Sequence, residues 1–119
     1  MRAAVAALAA LVLLAGCGGG GSGQPSGSFK VSMTEFKFDP ATMTVPSGKV
    51  VFYLVNGGTV SHDFVIRDSA GNNVQASELV SAGDTFVFTV SNLPAGSYTY
   101  FCNQTGHEAA GMKGTLTAT

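Results

Sequence analysis

Near the C-terminal end of the chain, Cys102, His107 and Met112 stand at even spacing, Cys-x4-His-x4-Met. A thiol, an imidazole and a thioether this close together form a soft, mixed sulfur and nitrogen donor set. Thiolate and thioether favour Cu(I), imidazole serves both oxidation states of copper, and two His with one Cys and a long axial Met make an electron-transfer copper arrangement. That set requires a second imidazole. The chain has only one other His, His62. The reading therefore turns on whether the fold can bring His62 beside Cys102.

The remaining composition narrows the setting. At 119 residues there is room for one domain. The chain is 45% hydrophobic and only 11% charged, with a formal net charge of −1. It has neither a basic run nor an acidic tail, which argues against nucleic acid as a partner.

The N-terminus reads as a targeting segment. Arg2 precedes an apolar run from Ala3 to Gly16, shorter than the roughly 20 residues a membrane-spanning helix needs and suited to the apolar core of a secretory signal. It ends in Leu14-Ala15-Gly16-Cys17, which resembles the lipobox of bacterial lipoproteins. The resemblance implies cleavage before Cys17 and lipidation of its sulfur. Residues 1–16 are then a signal peptide, and residues 17–28 a lipidated Cys followed by a Gly/Ser-rich linker. Such a linker has a typical span of a little under about 20 Å. The expected location is a bacterial cell envelope, on the extracytoplasmic (periplasmic) side of a membrane and anchored to it by lipid. With Cys17 so used, Cys102 is the one free thiol of the mature domain. A lone thiol in an oxidising compartment calls for a reason, and metal ligation is one.

From Phe29 to Thr119 the pattern is strand and turn. Eight segments carry it: 29–33, 36–38, 42–45, 49–55, 62–66, 85–90, 97–102 and 113–118. Lys49–Val55 carries a continuous apolar run, Val50 to Val55, suited to a strand buried on most of both faces. Thr85–Val90 alternates, with Phe86, Phe88 and Val90 facing inward. Asn56-Gly57-Gly58 and Leu93-Pro94-Ala95-Gly96 are turn signals. Residues 68–73 read as a loop, and 74–80 as a short helix or irregular crossover. Seven or eight short strands with regular turns predict an all-β, Greek-key β-sandwich.

Two segments then carry a family resemblance. Tyr98-x-Tyr100-Phe101-Cys102-x4-His107-x4-Met112-x-Gly114 resembles the copper loop of plastocyanin/azurin-type cupredoxins. Asn56-Gly57-Gly58 with Ser61-His62-Asp63-Phe64 resembles the segment holding their first ligand. Pro46-Ser-Gly-Lys-Val50 and Leu93-Pro-Ala-Gly-Ser-Tyr98 match as well, so the resemblance covers residues 29–119.

The resemblance implies a cupredoxin-like fold and one type 1 (blue) copper ion. His62, Cys102 and His107 would lie in a trigonal plane, with Met112 as the weak axial ligand. It also implies a tie between the residue after the first His and the residue after the Cys, here Asp63 and Asn103. Such outer bonds orient ligands. Two features depart from photosynthetic plastocyanins: Phe101 stands where Tyr is common, and the Cys-to-His segment is two residues longer. Both favour a general bacterial donor.

The implied activity is electron transport, with Cu(II)/Cu(I) cycling in a membrane-tethered monomer that is not an enzyme. Its partners would be redox proteins of the membrane or periplasm, such as a cytochrome, terminal oxidase or reductase. His107, flanked by Gly106, Ala109, Ala110 and Gly111, is expected to reach the surface as the electron exit, with Glu108 and Lys113 available to steer partners. Copper storage or delivery is the alternative, although such proteins use Met-rich or His-rich sites. Multicopper catalysis would require several more His than two, and a dinuclear site a second Cys in the loop. A metal-free adhesive sandwich is the remaining possibility. Tyr98 and Tyr100 are expected to be core or corner tyrosines, and Met33 and Met43 packing residues.

Overall fold

The computed structural model describes residues 23–119. The signal-peptide reading of 1–16, the lipobox and Cys17 lie outside the described residues. Gln24–Ser28, the end of the expected linker, closes into a turn. There the Ser28 N–H and hydroxyl both donate to the Pro25 carbonyl, at 3.1 and 2.6 Å.

Nine strands follow: β1 (Phe29–Thr34), β2 (Lys37–Asp39), β3 (Thr42–Val45), β4 (Gly48–Asn56), β5 (Val65–Asp68), β6 (Asn73–Ala76), β7 (Thr85–Leu93), β8 (Gly96–Phe101) and β9 (Lys113–Ala118). They form two sheets, ordered β2-β1-β4-β7 and β3-β9-β8-β5-β6. The β1–β4 and β3–β9 pairs are parallel and the rest antiparallel. This is the expected all-β sandwich, with one strand more than the pattern suggested.

The additional strand is β6. All four of its residues are exposed, so no inward face marks it in the sequence. It takes the first part of the 74–80 stretch, while 77–79 run irregularly, as an irregular crossover would. Beyond it, Val80 makes an isolated bridge to His62. His62 itself precedes β5 rather than opening it, because β5 begins only at Val65. Similarly Phe36 is excluded from β2 and stands exposed on the turn after β1.

The core lies between the sheets. Phe52, Phe64 and Tyr100 are fully buried, with Phe38 and Phe88 nearly so. Phe64 stacks on Tyr100 at 5.0 Å between centroids, and Phe38 meets both rings edge-on. Such offset and edge-to-face pairs add to the area they bury. Phe64 and Tyr100 each stand two residues from a candidate ligand, so this aromatic cluster is the floor of the site. Met33 and Met43 pack in the same core.

The tyrosines are structural. The Tyr98 hydroxyl donates to the Pro94 carbonyl at 2.6 Å, a tyrosine corner. Tyr100 donates to the Pro40 carbonyl at 2.5 Å. Burial, reinforced by the Asp39 carboxylate, pushes the Tyr100 hydroxyl up to about 12, so it remains a donor.

Gly114 in β9 allows the Tyr100 ring to lie flat against the backbone. A Cβ there would collide with that ring and come within 2.6 Å of the Ala41 carbonyl. Gly114→Ala is therefore expected to lower stability by about 1–3 kcal/mol, the usual cost of overpacking. The measurement is the urea midpoint, which should fall with the slope of the transition unchanged.

Candidate metal centre

Strand pairing assembles the centre. In the β5–β8 ladder Val65 lies opposite Phe101. Just beyond this last pair the chain continues to Cys102 on one side and back through Phe64 and Asp63 to His62 on the other. The His62–Val80 bridge, with backbone bonds of 3.0 and 2.8 Å, fixes the His62 backbone. Asn56 secures the loop before it: its side-chain amide donates to the Val60 and Val80 carbonyls, and its carbonyl oxygen accepts from the Gly58 N–H. The Asn-Gly-Gly turn signal thus has a fully engaged side chain behind it.

After β8 the chain coils tightly around His107. The His107 N–H donates to Gln104, Ala110 to Gly106, Gly111 to Glu108 and Met112 to His107. Gly106 and Gly111 take φ of +81° and +110°, which side chains beyond glycine adopt poorly. The Cys102 N–H donates to the Met112 carbonyl at 3.2 Å, closing the loop into a ring with Cys102 and Met112 at its neck.

The expected donors converge. His62 Nδ1 and His107 Nδ1 are 3.2 Å apart, and Cys102 Sγ lies 3.8 and 3.3 Å from them. All three ligand atoms fall within 4.8 Å of one another. His62, Cys102 and Met112 are fully buried in the core, and His107 is partly exposed. Among the described residues no carboxylate oxygen joins this cluster. Two imidazole nitrogens and one thiol, with a buried thioether at the neck of the same loop, fit copper and not an oxygen-seeking cation such as calcium or magnesium.

The tie between the two ligand segments is present. The Asn103 N–H donates to Asp63 Oδ1 at 2.6 Å. The Gln104 amide lies 3.5 Å from the other carboxylate oxygen.

Three residues without a motif in the sequence also belong to the site. Glu35, on the turn after β1, places Oε1 3.1 Å from His62 Nε2. The same oxygen accepts from the Thr59 and Val60 N–H groups at 2.8 and 3.0 Å. These two backbone donors, then the bond to His62, hold the Glu35 carboxyl down at about 2. Since an ionised carboxylate can only accept, His62 carries its proton on Nε2 and leaves Nδ1 free to ligate. Phe36 meets the His107 ring edge-on at 5.0 Å.

The third is Arg67. Its guanidinium lies over the Phe101 ring at 3.9 Å and pairs with both carboxylate oxygens of Glu108 at 2.8–3.0 Å. Glu108, expected to be free for steering partners, is thus engaged. Its carboxyl is held low chiefly by the hydrogen bond from Arg67, which is itself raised by Glu108. Both side chains are about a third exposed, so the pair adds little to global stability. Its effect is local, joining the ligand loop to β5. Cross-strand geometry could have pointed to the stacking, because Arg67 faces Thr99 and is therefore diagonal to Phe101.

Known proteins resemble the chain in both sequence and shape. The family model described as "Cupredoxin-like domain" matches residues 4–118. The copper-resistant cuproprotein CopI of Rubrivivax gelatinosus is 34% identical over 94 residues, or 66% of this chain, which spans only 57% of that protein's length. Plastocyanin of Dryopteris crassirhizoma is 37% identical over 92 residues, covering 69% of this chain and 87% of that protein. Among solved structures, dithionite-reduced auracyanin from the photosynthetic bacterium Roseiflexus castenholzii superposes with a TM-score of 0.70 at 22% identity. That match covers 81% of this chain and 99% of auracyanin and shows the shared fold.

The copper-free thiol has a testable chemistry. Burial pushes the Cys102 thiol up, against the opposing pull of the Asp63 and Gln104 backbone groups. A raised value means that the thiol keeps its proton at neutral pH, so metal entry must release one. Copper affinity measured by chelator competition should therefore climb about tenfold per pH unit between about pH 7 and 8.5. A flat profile would show that the copper-free thiol is already ionised.

Proposed function

The chain belongs to the cupredoxin-like family, and on that premise we propose that it is a lipid-anchored, mononuclear blue copper protein carrying single electrons between envelope redox partners. It is a copper-binding electron carrier in general terms, with one type 1 copper as its cofactor. The observation carrying this reading is the convergence of His62 Nδ1, His107 Nδ1 and Cys102 Sγ, with the buried Met112 at the neck of the same loop.

The copper, when bound, supplies a one-electron Cu(II)/Cu(I) couple. His62, Cys102, His107 and Met112 would hold it, the thioether of Met112 tuning the couple. Asp63 and Glu35 orient the ligands from outside. Hydrogen-bonded strands on both sides of the site limit its motion, so little rearrangement accompanies a change of charge. His107 is the one His at the rim, and Ala109, Ala110 and Gly111 beside it are exposed. Phe36 and Val60, each 42% exposed, widen this apolar border. A small apolar rim suits brief docking, of the size found in weak redox encounters, below about 1,200 Å². Without Arg2, the chain carries five Lys/Arg against seven Asp/Glu, so ionic strength should affect docking only mildly.

Support for the tether comes from Leu14-Ala-Gly-Cys17 and the Gly/Ser-rich stretch after it. These features favour attachment through Cys17 on the extracytoplasmic side of a bacterial membrane, with the domain acting as a monomer. Electron transfer alone suffices for such a site. A second reading, copper storage or delivery, draws on the likeness to the copper-resistant cuproprotein.

Adding Cu(II) to the copper-free protein separates the two. Electron carriage predicts an intense blue colour, reversible one-electron voltammetry and slow loss of copper to chelators. A pale protein that yields its copper readily would favour delivery. For the tether, Cys17→Ala in the full-length chain is expected to move the protein from the detergent phase to the aqueous phase of a detergent partition. Unchanged partitioning would exclude lipidation at that residue.

A further inference from the structure

The turn after β1 touches both imidazoles of the site. Glu35 meets His62 at Nε2, and Phe36 lies against the ring of His107. Nothing in the ligand loop or the His62 segment supplies these contacts. They come from a turn 27 residues before His62 in the chain, held beside the site by the β1–β4 pairing and by the Gly57 N–H, which donates to the Met33 carbonyl.

We propose that Glu35 is a positioning residue of the copper centre: its carboxylate fixes the His62 tautomer, strengthens Nδ1 as a donor and thereby favours Cu(II) over Cu(I). The inference rests on the copper reading above. Three observations carry it. First, one oxygen, Oε1, accepts from Thr59 N–H, Val60 N–H and His62 Nε2 together. Two fixed backbone donors aim that oxygen, so its bond to His62 does not depend on a freely rotating side chain. Second, the approach requires a glycine. A Cβ on Gly58 would collide with the Glu35 carboxylate, so the loop is shaped to admit it. Third, His62 is fully buried while the Glu35 side chain is only 28% exposed. The charge therefore acts across protein as well as across water.

The direction follows from charge. A thiolate and three neutral ligands leave a bound Cu(II) centre with net charge +1 and a Cu(I) centre with zero. A carboxylate one imidazole away stabilises the first more than the second. A carboxylate accepting from a ligating His also raises the basicity of the coordinating nitrogen, and removing such a partner typically costs 10–100-fold in metal affinity.

The test compares Glu35→Gln, Glu35→Ala and the unaltered chain. Glutamine keeps an oxygen that can accept from Thr59 and Val60 but loses the charge, whereas alanine loses both. In Glu35→Gln the preference for Cu(II) over Cu(I) should fall about tenfold, an upward shift in potential of about 59 mV for a one-electron couple. Glu35→Ala should shift at least as far and also lose amide-exchange protection at Thr59 and Val60. The copper-free protein offers an independent readout: nitrogen NMR should place the His62 proton on Nε2 in the unaltered chain.

A blue Glu35→Gln protein whose potential stays within about twofold of the original in Cu(II)/Cu(I) preference, or a copper-free His62 protonated on Nδ1, would overturn the proposal. An unaltered protein that never turns blue would instead remove the copper reading on which it rests.

Discussion

The antiparallel pairing of β5 with β8 is the constraint on which the site depends. It aligns Val65 with Phe101, so the two ligand segments, forty residues apart in sequence, leave the sandwich side by side. A one-residue slip would turn every side chain to the opposite face, sending Cys102 outward and Tyr100 off Phe64. The register is held from within by the Phe38–Phe64–Tyr100 cluster and from without by Arg67 lying across Phe101. Packing and ligation are thus specified by the same contacts.

A second consequence is that the donors are gathered by the protein's own contacts. Three ligand atoms are held within 4.8 Å of one another, with His62 and Cys102 fully buried. Each supporting group has its own partner: Asn56 on Val60 and Val80, Asp63 on Asn103, Glu35 on Thr59 and Val60. Among the described residues no buried side-chain nitrogen or oxygen lacks a hydrogen bond. The order built into the chain reduces the reorganisation that ligand binding or a change of charge would otherwise require.

Much of this was legible in the sequence, for identifiable reasons. Strands that bury one face announce themselves by alternation, as in Thr85–Val90. The ligands were visible because three of the four fall within one loop, and the fourth is the only His left over. The Asp63–Asn103 tie followed from family resemblance and not from any local pattern. The features not legible there have a common physical origin. Glu35 and Phe36 lie on a turn whose neighbours are set by tertiary packing, and Phe36-Lys-Phe38 reads as simple alternation. β6 has no buried face, so no periodicity could reveal it. Arg67 looks like an ordinary strand cation until the register places it diagonally opposite Phe101.

The strand order has a further consequence, for the timing of assembly. β9 lies between β3 and β8, and its partner β3 precedes it by about seventy residues. The Thr119 N–H then reaches back to Val45, and Ser47 donates to Thr119. A chain growing from its N-terminus must therefore extend past residue 118 before the five-stranded sheet can close. Long-range parallel pairing of this kind forms slowly, because the loop must be closed before the contact rewards it. Until then the loop from Cys102 to Met112 has no β9 behind it, and the thiol is open to oxidation or to a mismatched metal. The centre is thus completed only when the last strand docks, so a chain truncated before β9 would retain the donors in its sequence without the enclosure that makes them a site.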